Sequence, residues 1–402
     1  MSGEILFLAH RTPYPPDRGD KIRSWHLLRS LAKIAPVHVA ALCDDPRDLD
    51  HVAFLRSVAA TVHIEQRQWS KTGAMMRAMM TGQPASVLAF ANRALQAHID
   101  LLLATRPIRT IFAFSGQMAQ FVPTWLDERR FVMDFVDMDS AKFAAYGDQY
   151  SGLAARANRS EAERLLAFET AVANRATLSL FVSEAEAHLF QSKTGVDQSR
   201  VASLENGIDL EAYDPLRTYP AIEQSEGPLI IFTGQMDYRP NIDAVTAFAR
   251  DVMPTIVAHD KSARFAIVGR APTPAVKALA KLPGVIVTGE VPDTRSWLAA
   301  ADVVVAPLTL ARGIQNKVLE AMAMAKPVVA SSAAALGIDA EDGQELIVAD
   351  GAQAQAGAII ALLASAERCR TIGLAARRRV EARYSWEARF AALPAIVGMG
   401  AT

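Results

Sequence analysis

Short, continuous apolar runs recur along this chain, each stopping at a small or polar residue and most followed by a stretch of helical spacing. The first is EILFLAH, residues 4–10. A run that is apolar on both faces and closed by a turn fits a strand of a parallel sheet, which helices cover on either side. Behind it, Trp25, Leu27, Leu28, Leu31 and Ile34 follow close to the helical period over 19–34. PVHVAALC, RTIFAFSG, RFVMDFVD and ATLSLFVS repeat the strand pattern, and the longest helix between them is expected over 151–176. Such alternation predicts a doubly wound α/β domain.

A second series begins beyond a polar, proline-containing link, DLEAYDPLRTYPAIEQSEGP (209–228), whose composition suits a surface connection. LIIFTG, RFAIVG, GVIVTG, DVVVAPL, PVVAS and ELIVAD follow, with helical patterns between most of them. A chain of 402 residues is long for one hydrophobic core, so two domains in tandem are expected. The predicted division is 1–205, 206–384 and a terminal segment, 385–402. RRRVEARYSWEARFAALPAIVG reads as helix, and a terminal helix of this kind can fold back on the first domain.

Composition acts by exclusion. The chain is 51% apolar and 21% charged, ample for packed cores, and its net charge of −1 gives no footing for nucleic acid. Its two cysteines, Cys43 and Cys369, lie far apart. They indicate neither a disulfide framework nor a thiolate zinc site and fit a reducing compartment. The opening residues lack the basic and long apolar regions of an export signal, and no apolar run approaches bilayer-spanning length. A cytoplasmic protein is the expectation. RQWSKTGAMMRAMMTGQP (67–84) joins Trp69 and several methionines to Arg67, Lys71 and Arg77. It reads first as a Met-rich helix packed on a core, and second as a peripheral contact with anionic lipid.

Open α/β sheets bind ligands beyond the carboxyl ends of their strands. After the first strand, RTPYPPDRGDKIR has Pro13, Pro15 and Pro16 to stiffen it, Gly19 to open the next helix, and Arg18, Lys21 and Arg23 for positive charge. A helix start with cations suits an anion; a solvated surface loop is the plainer alternative. His10 ends the first strand. In the second series Gly234, Gly269 and Gly289 close strands, where a missing Cβ lets a ligand approach the backbone. GxGxxG and Walker lysine signatures are absent from the sequence, which disfavours a dinucleotide oxidoreductase and a P-loop NTPase.

ARGIQNKVLEAMAMAKPVVAS (311–331) carries the sharpest chemistry. Gly313 permits a tight turn after DVVVAPL. The amides of Ile314, Gln315 and Asn316 are placed to meet an anion at a helix start, and Lys317 adds charge. Glu320 shares a helix face with Lys317 at i,i+3. A carboxylate that accepts two hydroxyls is what a ribose needs, so donors for an anion beside an acceptor for a diol describe a nucleoside diphosphate. On spacing alone, a Lys–Glu surface pair is an equal alternative.

ENGIDLEAYDP (205–215), IIFTGQMDYRPNIDAV and VLEAMAMAKPVVAS resemble the second-domain signatures of the retaining glycosyltransferases of the family 4 group. These have the GT-B architecture: two facing Rossmann-like domains with a cleft between them. RTPYPPDRGDKIRSWHLL, DFVDMDS, FTGQMDYRPN and ARGIQNKVLEAMA together span nearly the whole chain. They resemble, more closely, the sugar transferases associated with PEP-CTERM/exosortase exopolysaccharide systems. The resemblance implies an acceptor-side first domain and a donor-side second domain. It also implies transfer with retention from a nucleotide sugar to a glycan or lipid-linked acceptor. The nucleotide sugar is then a substrate, and neither cofactor nor metal is implied.

Residue by residue, Glu320 falls on the second glutamate of the group's E-x7-E motif, implied to hold the ribose. The first glutamate falls on Arg312, which alters the usual sugar contact, and Gly313 follows it. Ile314 and Gln315 stand where the group has phenylalanine and glycine. After the strand glycine Gly234, the group's phosphate-binding arginine falls on Gln235 and its lysine near Asn241. Arg239 and Lys317 are the candidates to replace that charge. In the first-domain loop the usual Gly-Gly is reduced to Gly19-Asp20, with Lys21 beside it. The group's histidine near the sugar falls within DFVDMDSAKF, where either Asp137 or Asp139 takes its place; Asp139 also reads as a helix N-cap. Two other functions fit the resemblance: a nucleotide-sugar 2-epimerase of the same fold, and a non-catalytic nucleotide-sugar-binding homologue. A two-domain solute receptor would require an export signal.

Overall fold

The computed structural model describes residues 3–68, 71–222, 227–311 and 314–400. The chain divides into two compact units, Met1–Asn206 with Arg389–Thr402, and Gly207–Ala388.

In the first unit, strands β1 (Glu4–Ala9), β2 (Val37–Cys43), β3 (Thr61–Gln66), β4 (Ile108–Phe114), β5 (Arg130–Val136), β6 (Leu178–Phe181) and β7 (Val201–Ser203) form one sheet. Its order is β3-β2-β1-β4-β5-β6-β7, and every pairing is parallel. The apolar runs read from the sequence are its central strands: β1 and β2 are buried at every position. The two strands without such a run are the two edges. β3, TVHIEQ, is only half-covered, and β7 is three residues long. An edge strand needs no continuous apolar run because part of it meets water. Leu6, Leu8, Ile111, Phe131 and Phe181 anchor a fully buried core beside the helices Arg93–Thr105 and Gly152–Arg175.

In the second unit, β8 (Leu229–Thr233), β9 (Arg264–Val268), β10 (Val285–Gly289), β11 (Val303–Ala306), β12 (Val328–Ala330) and β13 (Ile347–Val348) form a sheet of order β10-β9-β8-β11-β12-β13. It too is parallel throughout. Strand order reverses between β1 and β4 in one sheet and between β8 and β11 in the other. Beyond the carboxyl ends of these strands lies the crevice where doubly wound sheets take ligands.

The single terminal helix expected from the sequence is corrected. The helix Ala366–Arg383 stops, and two short helices follow, Trp386–Arg389 and Leu393–Ile396. Pairing with the start of the second unit comes where the long helix ends, at Tyr384 and Ser385. The Tyr384 carbonyl accepts from the Ile208 amide at 2.7 Å, and the Ser385 hydroxyl accepts from the Ala388 amide at 3.1 Å. Gly207 packs directly on the Trp386 backbone, where a Cβ would stand 2.5 Å from the Trp386 nitrogen. The last residues then join the first unit. Thr110 donates to the Val397 carbonyl at 2.8 Å, Arg130 to that of Ile396 at 2.6 Å, and Arg389 pairs with Glu205 at 2.6 Å.

The Met-rich helix is corrected as well. It spans Lys71–Thr81, but its alanines do the packing: Ala74 and Ala78 are buried against Leu88 and Ala89. Met75, Met76, Met79 and Met80 are 54–87% exposed. Trp69 lies outside the described residues. Among the described residues no helix is long and apolar enough to cross a membrane.

Candidate active site

A cavity of about 430 Å³ opens at the carboxyl ends of β8, β9 and β10, lined by Gly234, Gln235, Asn241, Arg270, Lys317 and Glu320 among others. Its floor is two strand-end loops in contact. Gly269 has φ +154°, and a Cβ there would stand 1.6 Å from the Gly234 carbonyl oxygen. Only glycine permits that approach. A Cβ on Gly234 would in turn meet the Asn241 amide at 2.9 Å and the Lys317 ammonium at 3.2 Å. The missing Cβ atoms let the two loops and the Asn241 and Lys317 side chains pack this closely, and both glycines line the cavity.

The helix Asn316–Ala323 begins at this cavity, after the β11 loop. Lys317 and Glu320 face the cavity from its first turns, while Val318, Leu319, Ala321 and Met322 are buried behind them. The Lys317 ammonium donates to Asn241 Oδ1 at 2.7 Å and sits 4.0 Å from the Phe232 ring centroid. Asn241 is fixed in turn by donating to the Gln235 carbonyl at 2.9 Å. Burial pulls the lysine down to about 8, with the Glu320 charge opposing. Burial pushes the Glu320 carboxyl up, against a hydrogen bond from Tyr213 and the charge of Lys317. The Tyr213 phenol is held protonated by its own burial and by Glu320. A partly buried carboxylate that keeps free acceptor positions can bind hydroxyls, and a cation beside a helix start can bind an anion.

Arg270 and Tyr213 were not found from the sequence, nor was Glu290, which also lines the cavity. Arg270 lines the cavity and donates to Gln235 Oε1 at 3.1 Å. It directly follows the strand-end glycine Gly269, which was the available signal. Tyr213, which braces Glu320, lies within the ENGIDLEAYDP match. Arg239 is a correction: its side chain is 82% exposed and paired with Asp243 at 2.9 Å, one helical turn on, and it does not line the cavity. The cation that meets Gln235 comes from the next strand instead. Ile314 is half-buried near Gly337, Gln315 holds the N-cap position without a side-chain cap bond and Asn316 is the exposed first residue of the helix. None of the three side chains lines the cavity; their expected contribution was their amides. Arg312 and Gly313 lie outside the described residues.

In the first unit, Gly19 opens the helix Gly19–Ala32, and a Cβ there would meet nothing. The cations of the loop are more engaged than the sequence suggests. Arg23 is fully buried: its guanidinium holds Asp134 at 2.9 Å and donates to Asn206 at 2.8 Å. It is a core ion pair, which corrects its reading as a loop charge. Lys21 is 3% exposed, with its ammonium 2.9 Å from Asp48. Arg18 remains half-exposed, 3.3 Å from Asp20. Asp20 also accepts from Arg11 at 2.6 Å and lies 3.2 Å from His10. Burial works against its charge, but hydrogen bonds from His10 and Arg11 outweigh it and hold the carboxyl well below the usual range.

Asp137 and Asp139 follow β5. Val136 has φ +71°, and Ser115, at the end of the neighbouring β4, has φ +74°. Left-handed backbone at non-glycine residues is uncommon and clusters at functional sites. Asp139 is the first residue of the helix Asp139–Gln149, and Met138 holds the cap position, so Asp139 does not act as the N-cap. Its carboxylate accepts from Gln117 at 3.0 Å and from Lys142 at 3.1 Å. Asp137 is half-exposed and 3.9 Å from the same lysine, the less engaged of the two.

Residues 227–365 match the family described as glycosyl transferases group 1. A phosphatidyl-myo-inositol mannosyltransferase of Propionibacterium freudenreichii subsp. shermanii is 27% identical over 216 residues, 53% of this chain and 54% of that enzyme. The chain thus spans about half the length of this curated relative. Among solved structures, HepE of Anabaena in complex with UDP is 17% identical, with 98% of this chain and 99% of that one covered and a TM-score of 0.59. WaaG, a glycosyltransferase involved in lipopolysaccharide biosynthesis, is 16% identical over 98% and 100% of the two chains, with a TM-score of 0.57. Sucrose-phosphate synthase of Thermosynechococcus elongatus is 18% identical over 98% of each, with a TM-score of 0.58. The shared feature is the fold, two Rossmann-like parallel-sheet domains as in GT-B glycosyltransferases.

Proposed function

We propose that this protein is a retaining glycosyltransferase that moves a sugar from a nucleotide-sugar donor to a glycan or lipid-linked acceptor in exopolysaccharide synthesis. The observation that carries the reading is the cavity at the ends of β8 and β9, where Lys317, Arg270 and Glu320 surround bare glycine backbone. Lys317, Arg270 and the helix start at Asn316 suit a diphosphate, and Glu320 suits the ribose hydroxyls. The match of residues 227–365 to the group 1 glycosyl transferases supports it. Retention and the exopolysaccharide role rest on the motif resemblance.

In the reaction the anomeric C–O bond to the diphosphate breaks and the acceptor hydroxyl oxygen bonds to the anomeric carbon from the same face. The acceptor proton passes to the departing phosphate oxygen, so no strong protein base is required. Charge grows on the diphosphate as the bond breaks. Fixed cations and amides that need no rearrangement stabilise that charge most. In this reading Asp137 or Asp139 contacts the transferring sugar, and no cofactor or metal takes part.

A lipid-linked acceptor would bring the protein to a membrane surface. The exposed methionine face of the helix Lys71–Thr81, with Arg77 between its pairs, supports peripheral contact there.

The test is incubation with UDP-, GDP- and ADP-sugars and glycan or polyprenyl-linked acceptors. Free nucleoside diphosphate should appear in step with a product whose new bond keeps the donor's anomeric configuration by NMR. A released sugar epimer without transfer would instead identify an epimerase, and binding without turnover a non-catalytic homologue.

A further inference from the structure

We infer that Glu169 and Glu186 are positioning residues for transfer: from two neighbouring helices they hold the main chain of the turn that carries Asp137 and Asp139. The inference rests on the reading above, in which that turn meets the sugar.

Three alternate amides of the turn each donate to a carboxylate. Val136 donates to Asp134 Oδ1 at 3.1 Å, Met138 to Glu186 Oε2 at 2.9 Å, and Ser140 to Glu169 Oε1 at 3.1 Å. Asp134 belongs to β5, Glu169 to the helix Gly152–Arg175 and Glu186 to the helix Glu184–Thr194. The Ser140 hydroxyl donates to the second oxygen of Glu169, whose side chain is buried at 2% exposure.

This is not how a helix start is ordinarily satisfied. A Ser, Thr, Asn or Asp at the cap would take the free amides locally. Here the cap is Met138, without a side-chain cap bond, and the acceptors come from other helices. Local capping fixes only a helix's own first turn. Acceptors on two separate helices fix where that turn stands in the domain. The backbone they fix is one the sequence would not choose, since Val136 is β-branched and left-handed. Asp137 and Asp139 are the residues between the pinned amides. Asp139 is further tied through Gln117, which also accepts from the Ser115 hydroxyl at the strained end of β4. Carboxylates held in this way meet a reacting centre without searching for their geometry, and small displacements of such groups cost much rate.

The test compares wild type, Glu169→Ala, Glu169→Gln and Glu186→Ala in the transfer assay, with hydrogen exchange at the amides of 136–140 read on the same proteins; Glu186→Ala should lower kcat as Glu169→Ala does. Glu169→Ala should lower kcat by about 100-fold while nucleoside diphosphate affinity stays unchanged, because the nucleotide cavity is lined by the other unit. Glu169→Gln keeps an acceptor for the Ser140 amide and should restore most of the rate; exchange in Glu169→Ala should quicken over 136–140. Wild-type kcat in Glu169→Ala overturns the inference. If Glu169→Ala does not fold, Glu186→Ala, which removes the acceptor of the Met138 amide, carries the same comparison. A folded wild type that turns over no donor overturns the transferase reading instead. In that event unchanged exchange in Glu169→Ala still overturns the holding role, and faster exchange confined to the turn supports it.

Discussion

Lys317 is the residue whose chemistry is most exposed to measurement. Burial and the Phe232 face surround its ammonium, and its pKa falls to about 8. A lysine lowered from its ordinary value is charged below that pH and neutral above it. Its contribution to holding a diphosphate is therefore present at pH 7 and lost as pH rises through about 8. A charge-assisted hydrogen bond is worth about 1.5–3 kcal/mol, so nucleoside diphosphate affinity should fall about tenfold or more between pH 7 and 9. In Lys317→Met the affinity should start low and the slope vanish. A wild-type affinity flat over that range would show that this lysine does not meet the ligand. Lys317 and Glu320 were legible as a pair from their spacing alone, because both lie within one helix. Arg270 and Tyr213 were not: Arg270 reaches the cavity and Tyr213 reaches Glu320 from segments far away in sequence, and only the fold sets their distance. Arg239 shows the converse error: being near in sequence to the strand-end glycine, it still turns to Asp243 and solvent.

Among the elements, those with a strong period were legible and those governed by tertiary pairing were not. The central strands carry their signature because both faces are buried. β3 and β7 do not, because they are edges. The terminal segment has helical spacing throughout, but pairing of Ile208 with Tyr384 breaks it. On the helix Lys71–Thr81 the same composition supported two placements, and the alanine face proved to be the packed one. Its exposed methionines give a prediction of their own. Full burial of such a side chain contributes about 1.5–3 kcal/mol, and insertion of part of four should be readily measurable. The protein should co-sediment with vesicles containing anionic lipid, and replacing Met75, Met76, Met79 and Met80 by Ser should weaken that binding at least tenfold. Binding that is absent in wild type, or indifferent to the four changes, would remove the membrane contact.

At the scale of the whole molecule, two parallel sheets with their reversal points at β1/β4 and β8/β11 put the motif residues at strand carboxyl ends in each unit. The first unit offers a turn held by carboxylates, and the second a cavity with cations, bare glycine backbone and one braced carboxylate. Architecture was readable because strand and helix periods persist over the whole chain. The ligand was readable only in outline, because helix spacing names groups and not the space around them. The central claim is that Glu320 and its cavity hold a nucleoside diphosphate. Its most direct test is thermal stability of wild type and Glu320→Ala with UDP, GDP, ADP and their sugars. Ligand at 100 times its Kd adds about 2.7 kcal/mol of apparent stability. The account predicts a shift with one nucleotide family that is largely lost in Glu320→Ala. No shift with any nucleotide, or an equal shift in the variant, would contradict it.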